Sequence, residues 1–282
     1  GAGLLGLLRW PNPAPLAARH FAALPPAFLR YPETGADQRR DCAVEPPARP
    51  LLPTTFARCT IPPSRPGAPT LWAMGDSHAG HLLGLLLAAR EAAGDGVHLV
   101  ETPGHPFPLP VGTDLPERAR LFEAALARMR PGDVVVLGRL FLDRTEPPAV
   151  LPDLGAWAAQ AGALADALAP RRVRVVVVGP PPIFGFDSIY VCQPAPGGGT
   201  PCDIARAPLA RVVAEVETVL EKTAAQHPNL RVFRPFPQLC PPDAATCSPV
   251  RDRVPLFRDR DHLNAAGASR LAPAFLAFLA GG

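Results

Sequence analysis

The chain is 282 residues long, 48% hydrophobic and 19% charged, which excludes a disordered polymer and leaves room for one large domain or a domain plus an extension. The formal charge of +3, from 28 basic and 25 acidic residues, is too small to point to nucleic acid. No apolar run approaches the roughly 18 residues that cross a bilayer; the longest span 4–8 and 82–89. The chain opens without an initiator Met and without a signal-peptide pattern, so it reads as a mature protein or a piece of a longer one. Lys222 is its one lysine, and the preference for arginine reads as a high-GC genome.

Residues 1–66 hold thirteen prolines and no long periodic segment. Proline removes donors and fixes φ, so this stretch is expected to wrap or link, as an extension ahead of a folded body over 67–282. From about Pro69 the pattern changes. Strands are expected at 70–74, 97–101, 133–138, 173–179 and 230–233, short and almost continuously apolar, as strands buried on both faces are. Helices are expected between them at 79–93, 115–129, 153–169 and 208–227, and a last one at 264–279. Pro131-Gly132 and Pro170 supply stops, and Asn264 a cap. The alternation predicts an α/β domain with a parallel sheet of about five strands and helices on both faces. The connection over 180–208 is long enough to expect a functional loop or lid.

The six cysteines fall as three local pairs: Cys42 with Cys59, Cys192 with Cys202, and Cys240 with Cys247. Each pair closes a segment rich in Pro, Gly or Ala, where a cross-link gains most, and none has zinc-knuckle or redox-motif spacing. Three disulfides imply an oxidising compartment; the alternative is reduced, unrelated cysteines in a cytosolic protein.

The chemistry concentrates in two short motifs. Gly75-Asp76-Ser77-His78-Ala79 follows the first full strand, and Asp259-Arg260-Asp261-His262-Leu263 precedes the last helix. Ser77 at a strand-to-helix junction sits at the carboxyl edge of the sheet, where open α/β folds carry their sites. A following helix would offer free N–H groups and a positive dipole end to an oxyanion. Serine needs a base, and His262 is the candidate. Asp259, three residues before it, can reach one imidazole nitrogen and leave the other for Ser77. Asp261, adjacent to His262, is expected to point elsewhere. His78 and His81 suggest a metal pair but lack a third ligand at suitable spacing, so no metal is expected. Trp72 reads as core, while Trp10 and Trp157 read equally as packing or sugar-stacking surfaces.

The block Trp72-Ala73-Met74-Gly75-Asp76-Ser77-His78-Ala79, with the tail from Phe257 through His262-Leu263-Asn264-Ala265-Ala266-Gly267, resembles the SGNH (GDSL-like) esterase and acyltransferase superfamily. More narrowly, it looks like the SGNH domain fused behind membrane acyltransferase family 3 proteins, which O-acetylate bacterial surface polysaccharides. The likeness covers about residues 66–282. It implies a three-layer αβα sandwich with a flavodoxin-like sheet of order 2-1-3-4-5, a triad of Ser77, His262 and Asp259, no cofactor, and a periplasmic location tethered to the inner membrane. It also implies an acyl donor relayed by a membrane acyltransferase domain and a glycan acceptor. The family's oxyanion glycine maps to Gly104, beside the Ser77 N–H. The family asparagine after the third strand is absent. Arg139 stands in that slot, as a charged donor or substrate contact or as a surface ion pair. His105 is a further candidate substrate contact. The expected activity is O-acyl transfer to a polysaccharide hydroxyl; the alternatives are a carbohydrate acetylesterase and a non-catalytic glycan-binding module.

Overall fold

The computed structural model describes residues 59–108, 116–193 and 199–281. Five parallel strands form the sheet: β2 (Thr70–Gly75), β3 (Gly96–Glu101), β4 (Val134–Gly138), β5 (Arg174–Val178) and β7 (Leu230–Phe233). Their order is β3-β2-β4-β5-β7, which is 2-1-3-4-5 when only these five are numbered. Leu71, Ala73, Met74 and all of Val134, Val135, Val136 and Leu137 are fully buried, as a sheet covered on both faces requires.

A sixth strand, β1 (Thr60–Ile61), pairs antiparallel with β3 at the edge, with Thr60 opposite His98. It lies in the stretch expected to be linker, so the sheet takes in residues ahead of position 66. Most of the proline-rich segment, including Trp10 and Cys42, lies outside the described residues. Cys59 is buried and disulfide-bonded.

Helices flank the sheet. Three of them, α3 (Pro116–Arg128), α4 (Leu154–Leu168) and α5 (Arg206–Ala224), match expected segments within a few residues, and α2 (Leu83–Ala93) covers most of a fourth. The first and last expected helices are each broken. Residues 77–93 split into α1 (Ser77–Gly80) and α2, and the C-terminal run splits into α7 (Ala265–Arg270) and α8 (Ala272–Ala280), after the short α6 (Phe236–Leu239). Pro273 stands in the first turn of α8, where it is tolerated but cannot donate back to α7. Arg174 and Arg231 donate to the Leu279 and Phe278 carbonyls, closing the end of α8 onto β5 and β7.

Two disulfides, Cys192–Cys202 and Cys240–Cys247, cross-link the loops after β5 and β7 as the local spacing predicts. Between them, β6 (Ile204–Ala205) pairs with β8 (Thr246–Cys247), and β9 (Val250–Arg251) pairs with β10 (Val254–Pro255). These small ladders lead the chain into the segment that carries His262. No helix among the described residues is long and apolar enough to cross a membrane.

Candidate active site

Ser77 is set by the way β2 ends. Asp76, extended and buried, caps α1 by accepting the His78 N–H at 2.8 Å through Oδ1. Its other oxygen accepts the Leu140 N–H at 2.9 Å, so one carboxylate ties the serine turn to the loop after β4. On the opposite side, the backbone N–H and hydroxyl of Thr102, after β3, both donate to the Gly75 carbonyl, at 2.7 and 3.1 Å. The three strand ends meet closely at Gly75. Its φ is +152°, and a Cβ there would stand 1.8 Å from the Gly138 carbonyl oxygen. As the first residue of α1, Ser77 has no intrahelical acceptor for its N–H. Four residues carry little macrodipole, so the electrostatic help expected from a long helix reduces to local N–H groups.

His262 arrives from the other end of the chain. The loop is closed by an Arg258 N–H to His262 carbonyl bond of 3.0 Å and by a bridge between Phe257 and Leu263. Asn264 follows at once as the N-cap of α7, accepting from Gly267 N–H and donating to the Pro255 carbonyl. The helix it starts lies against α2, where a Cβ on Gly84 would stand 2.8 Å from the Ala265 carbonyl oxygen. The Phe184 and Ile189 N–H groups donate to the Arg260 and Arg258 carbonyls, so the disulfide-bearing loop after β5 braces the same segment.

The result is a continuous hydrogen-bonded row. His262 Nε2 lies 2.8 Å from Ser77 Oγ, and His262 Nδ1 lies 2.9 and 3.0 Å from the two oxygens of Asp259. Asp259 also accepts the backbone N–H groups of His262 and Asp261, at 2.9 and 3.2 Å. That places the Nδ1 proton on the Asp259 side and leaves the Nε2 lone pair toward the hydroxyl. Burial favours neutral Asp259, but the bond and charge of His262 and the charge of Arg258 hold its carboxyl below the usual range.

Asp261 does not point away. Its Oδ1 lies 3.3 Å from His262 Nδ1, and its Oδ2 meets His78 Nε2 at 3.4 Å and the Arg144 guanidinium at 2.8 Å. Extended geometry was expected to turn it outward. The tight closure of the 258–262 loop turns it inward instead. Burial pushes its pKa up, and His78, His262 and Arg144 overcome that and hold it well below the carboxylate range. His81 is packed against the same group, its ring centroid 4.6 Å from that of His78. Burial, then the neighbouring His78, His262 and Arg258, holds it well below an ordinary imidazole. His78, Asp261 and His262 put three potential ligand atoms within 4.8 Å of one another, yet most are already bonded to each other or to Asp259 and Ser77.

Arg139 is neither a surface pair nor an open substrate contact. Its guanidinium is buried, pairs with Asp153 at 2.9 Å, and lies 5.1 Å from the Trp157 ring centroid and 5.5 Å from that of Phe141. Trp157 is itself core, donating to the Phe107 carbonyl, and Trp72 is core beside Asp133. Gly104 lies exposed in the turn after β3, with open space where a side chain would stand. His105 follows it, half-buried, with Nδ1 3.1 Å from the Pro103 carbonyl. A cleft of about 760 Å³ is lined among others by Arg144, Phe184, Leu209, Arg211 and Arg260. Ser77 is not on its wall, but Arg144 joins it to Asp261.

His262 is held below its ordinary 6.5, first by burial and then by His78, against the pull of Asp259 and Asp261. A general base works unprotonated, so a lowered pKa extends activity to lower pH. The acid limb of any reaction in which His262 serves as the base is therefore expected below pH 6.5, read from initial rates across pH 4.5–8.

A family model for the SGNH domain fused to AT3 domains matches residues 41–277. The chain belongs to this family. Among solved structures, the periplasmic domain of a lipopolysaccharide acetyltransferase from Salmonella ser. Paratyphi A superposes with a TM-score of 0.62 at 15% identity, covering 93% of this chain and 99% of that one. At that identity the likeness concerns the fold. A catalytic mutant of an acetylxylan esterase from Geobacillus stearothermophilus aligns with a TM-score of 0.42 at 17% identity, over 76% of this chain and 94% of that one. No curated protein matches the sequence. The SGNH domain has an enzyme fold of the hydrolase type.

Proposed function

We propose that this SGNH domain is a serine-dependent O-acyltransferase that moves an acetyl group onto a hydroxyl of a bacterial surface glycan. The observation that carries the reading is the unbroken row from Ser77 through His262 to Asp259, at 2.8 and 2.9 Å. Ser77 Oγ attacks the donor carbonyl carbon while its proton passes to His262 Nε2. Asp259 accepts the Nδ1 proton's hydrogen bond and stabilises the imidazolium. The tetrahedral oxyanion is met by the Ser77 and Gly104 N–H groups. The carbon–leaving-group bond then breaks, the leaving group takes the proton from His262, and acetyl-Ser77 remains. In the second half, His262 takes the proton of the acceptor hydroxyl. That oxygen attacks the acetyl carbon, the bond to Ser77 Oγ breaks, and the serine recovers its proton. His105, half-buried beside Gly104, is taken as a further substrate contact.

The match to domains fused to AT3 domains favours a membrane acyltransferase domain as the source of the acetyl group, in the same polypeptide or as a partner. With two disulfides in the described residues, it also favours a periplasmic location, the catalytic unit beginning by Thr60 at the edge strand and the proline-rich residues ahead of it serving as its tether. Water as acceptor would make the same machinery an esterase. The deciding experiment follows p-nitrophenyl acetate cleavage by the purified chain with and without a de-O-acetylated polysaccharide. Transfer predicts faster nitrophenol release with polysaccharide and acetyl groups appearing on it by mass spectrometry. Cleavage at one rate, with free acetate as the sole product, would overturn transfer in favour of hydrolysis. No cleavage and no labelling of Ser77 by a fluorophosphonate would overturn both.

A further inference from the structure

We propose that Asp261 is a second positioning carboxylate for His262, and that Arg144, reaching it from the wall of a cleft, sets how much of its charge the imidazole feels. The inference rests on His262 acting as the base. Asp261 is the more deeply placed of the two acids, with 3% of its side chain exposed against 28% for Asp259. A carboxylate is rarely this buried without partners. Here it has three: His262 at 3.3 Å, His78 at 3.4 Å, and Arg144 through both Nε and a terminal nitrogen, at 2.9 and 2.8 Å. Asp259 fixes the ring through a direct hydrogen bond. Asp261 sits beside the same nitrogen with its lone pairs largely engaged elsewhere, so it acts on the imidazolium chiefly by charge and by holding His78 against the ring, centroid to centroid 5.0 Å.

The arrangement gives two opposite signs. Asp261 stabilises the protonated imidazole, whereas Arg144, neutralising Asp261, withdraws that stabilisation. The other groups facing His262 are Asp259 and Arg258 on its own loop, and Ser77, His78 and His81 on the α1 side, where Glu101 abuts Gly80. None of the three substitutions below removes any of these. Arg144 is 46% exposed, so solvent screens it and its effect is the smaller.

The test uses the full chain and p-nitrophenyl acetate, with acid limbs measured for wild type, Asp261→Asn, Asp261→Glu and Arg144→Met. Asp261→Asn is expected to lower kcat about tenfold at unchanged KM and to move the limb down by about one pH unit. Asp261→Glu should restore the limb in part, and Arg144→Met should move it up by about half a unit. Limbs that stay in place, or that move together in one direction, in variants with wild-type melting behaviour, would overturn the proposal. If Asp261→Asn does not fold, the Arg144→Met limb decides alone: an upward shift supports the proposal, and no shift or a downward one ends it. Loss of the parent reading gives a different result, since a Ser77→Ala chain that still turns over removes His262's role altogether.

Discussion

Ser77→Ala is expected to fold like the parent and to lose at least about 10⁴-fold in kcat for acetyl-ester cleavage. In the proposed reaction the hydroxyl is the atom that receives the acetyl group, and none of its described neighbours is placed to take over. Asp76 is held as a cap, with both oxygens bonded to backbone N–H groups. His78 faces Asp261, and His81 is buried. Removing one oxygen from an accessible first-turn position should shift the melting temperature by no more than a degree or two, because surface changes of this kind stay within about 0.5 kcal/mol. His262 then keeps its bond to Asp259 and loses its only substrate-side partner. Circular dichroism and thermal melting establish the fold, and steady-state rates with fluorophosphonate labelling establish the loss. Turnover within tenfold of the parent would mean that Ser77 is not the nucleophile.

The second large effect is structural. Gly75→Ala is expected to destabilise the protein by about 4 kcal/mol or more, among the largest effects of a single methyl group. Two costs add. A Cβ at this position would stand 1.8 Å from the Gly138 oxygen and 3.2 Å from the Ala79 side chain, and the backbone sits at φ +152°, where side chains are rarely found. Relief requires β2 and β4 to separate at their ends, which pulls apart the Asp76 bond to Leu140 and shifts Ser77 from His262. For a domain of this size the melting temperature should fall by about 10 °C, with activity falling further than the folded fraction. Urea titration beside rate measurements separates the two. An alanine chain as stable as the parent would contradict the close approach of the two strands.

The five parallel strands were legible because each is a short, almost unbroken apolar run between breakers. Val134-Val135-Val136-Leu137 and Val175-Val176-Val177-Val178 are the clearest. Their order entered only through resemblance, since spacing within a chain does not state which strands are neighbours. The strand Thr60–Ile61 carried no such signal. Two residues among prolines have no periodicity, and their pairing with His98 and Val97 is a tertiary event. The helix breaks at 81–82 and 271 carry local signals, Gly80 at the end of α1 and Pro273 in the first turn of α8, that the apolar residues running past them concealed. In the site, Ser77, His262 and Asp259 stood out because two short motifs hold them. Asp261 was misjudged. Its partners His78 and Arg144 lie 183 and 117 residues away, and only the fold brings them to it. The surroundings of Arg139, read from the sequence either as a charged donor or substrate contact or as a surface ion pair, were out of reach for a similar reason: Trp157, Phe141 and Asp153 come to it only in the fold.

The seating of α7 against Gly84 has a consequence for biosynthesis. A polypeptide made from its N-terminus carries the hydroxyl of Ser77 through 185 further residues before the imidazole that activates it exists. Even then the ring is held in place by the helix that follows it, which packs on α2 only once it has left the ribosome. A nascent chain, or one clipped ahead of α7, therefore carries Ser77 without the base proposed for it.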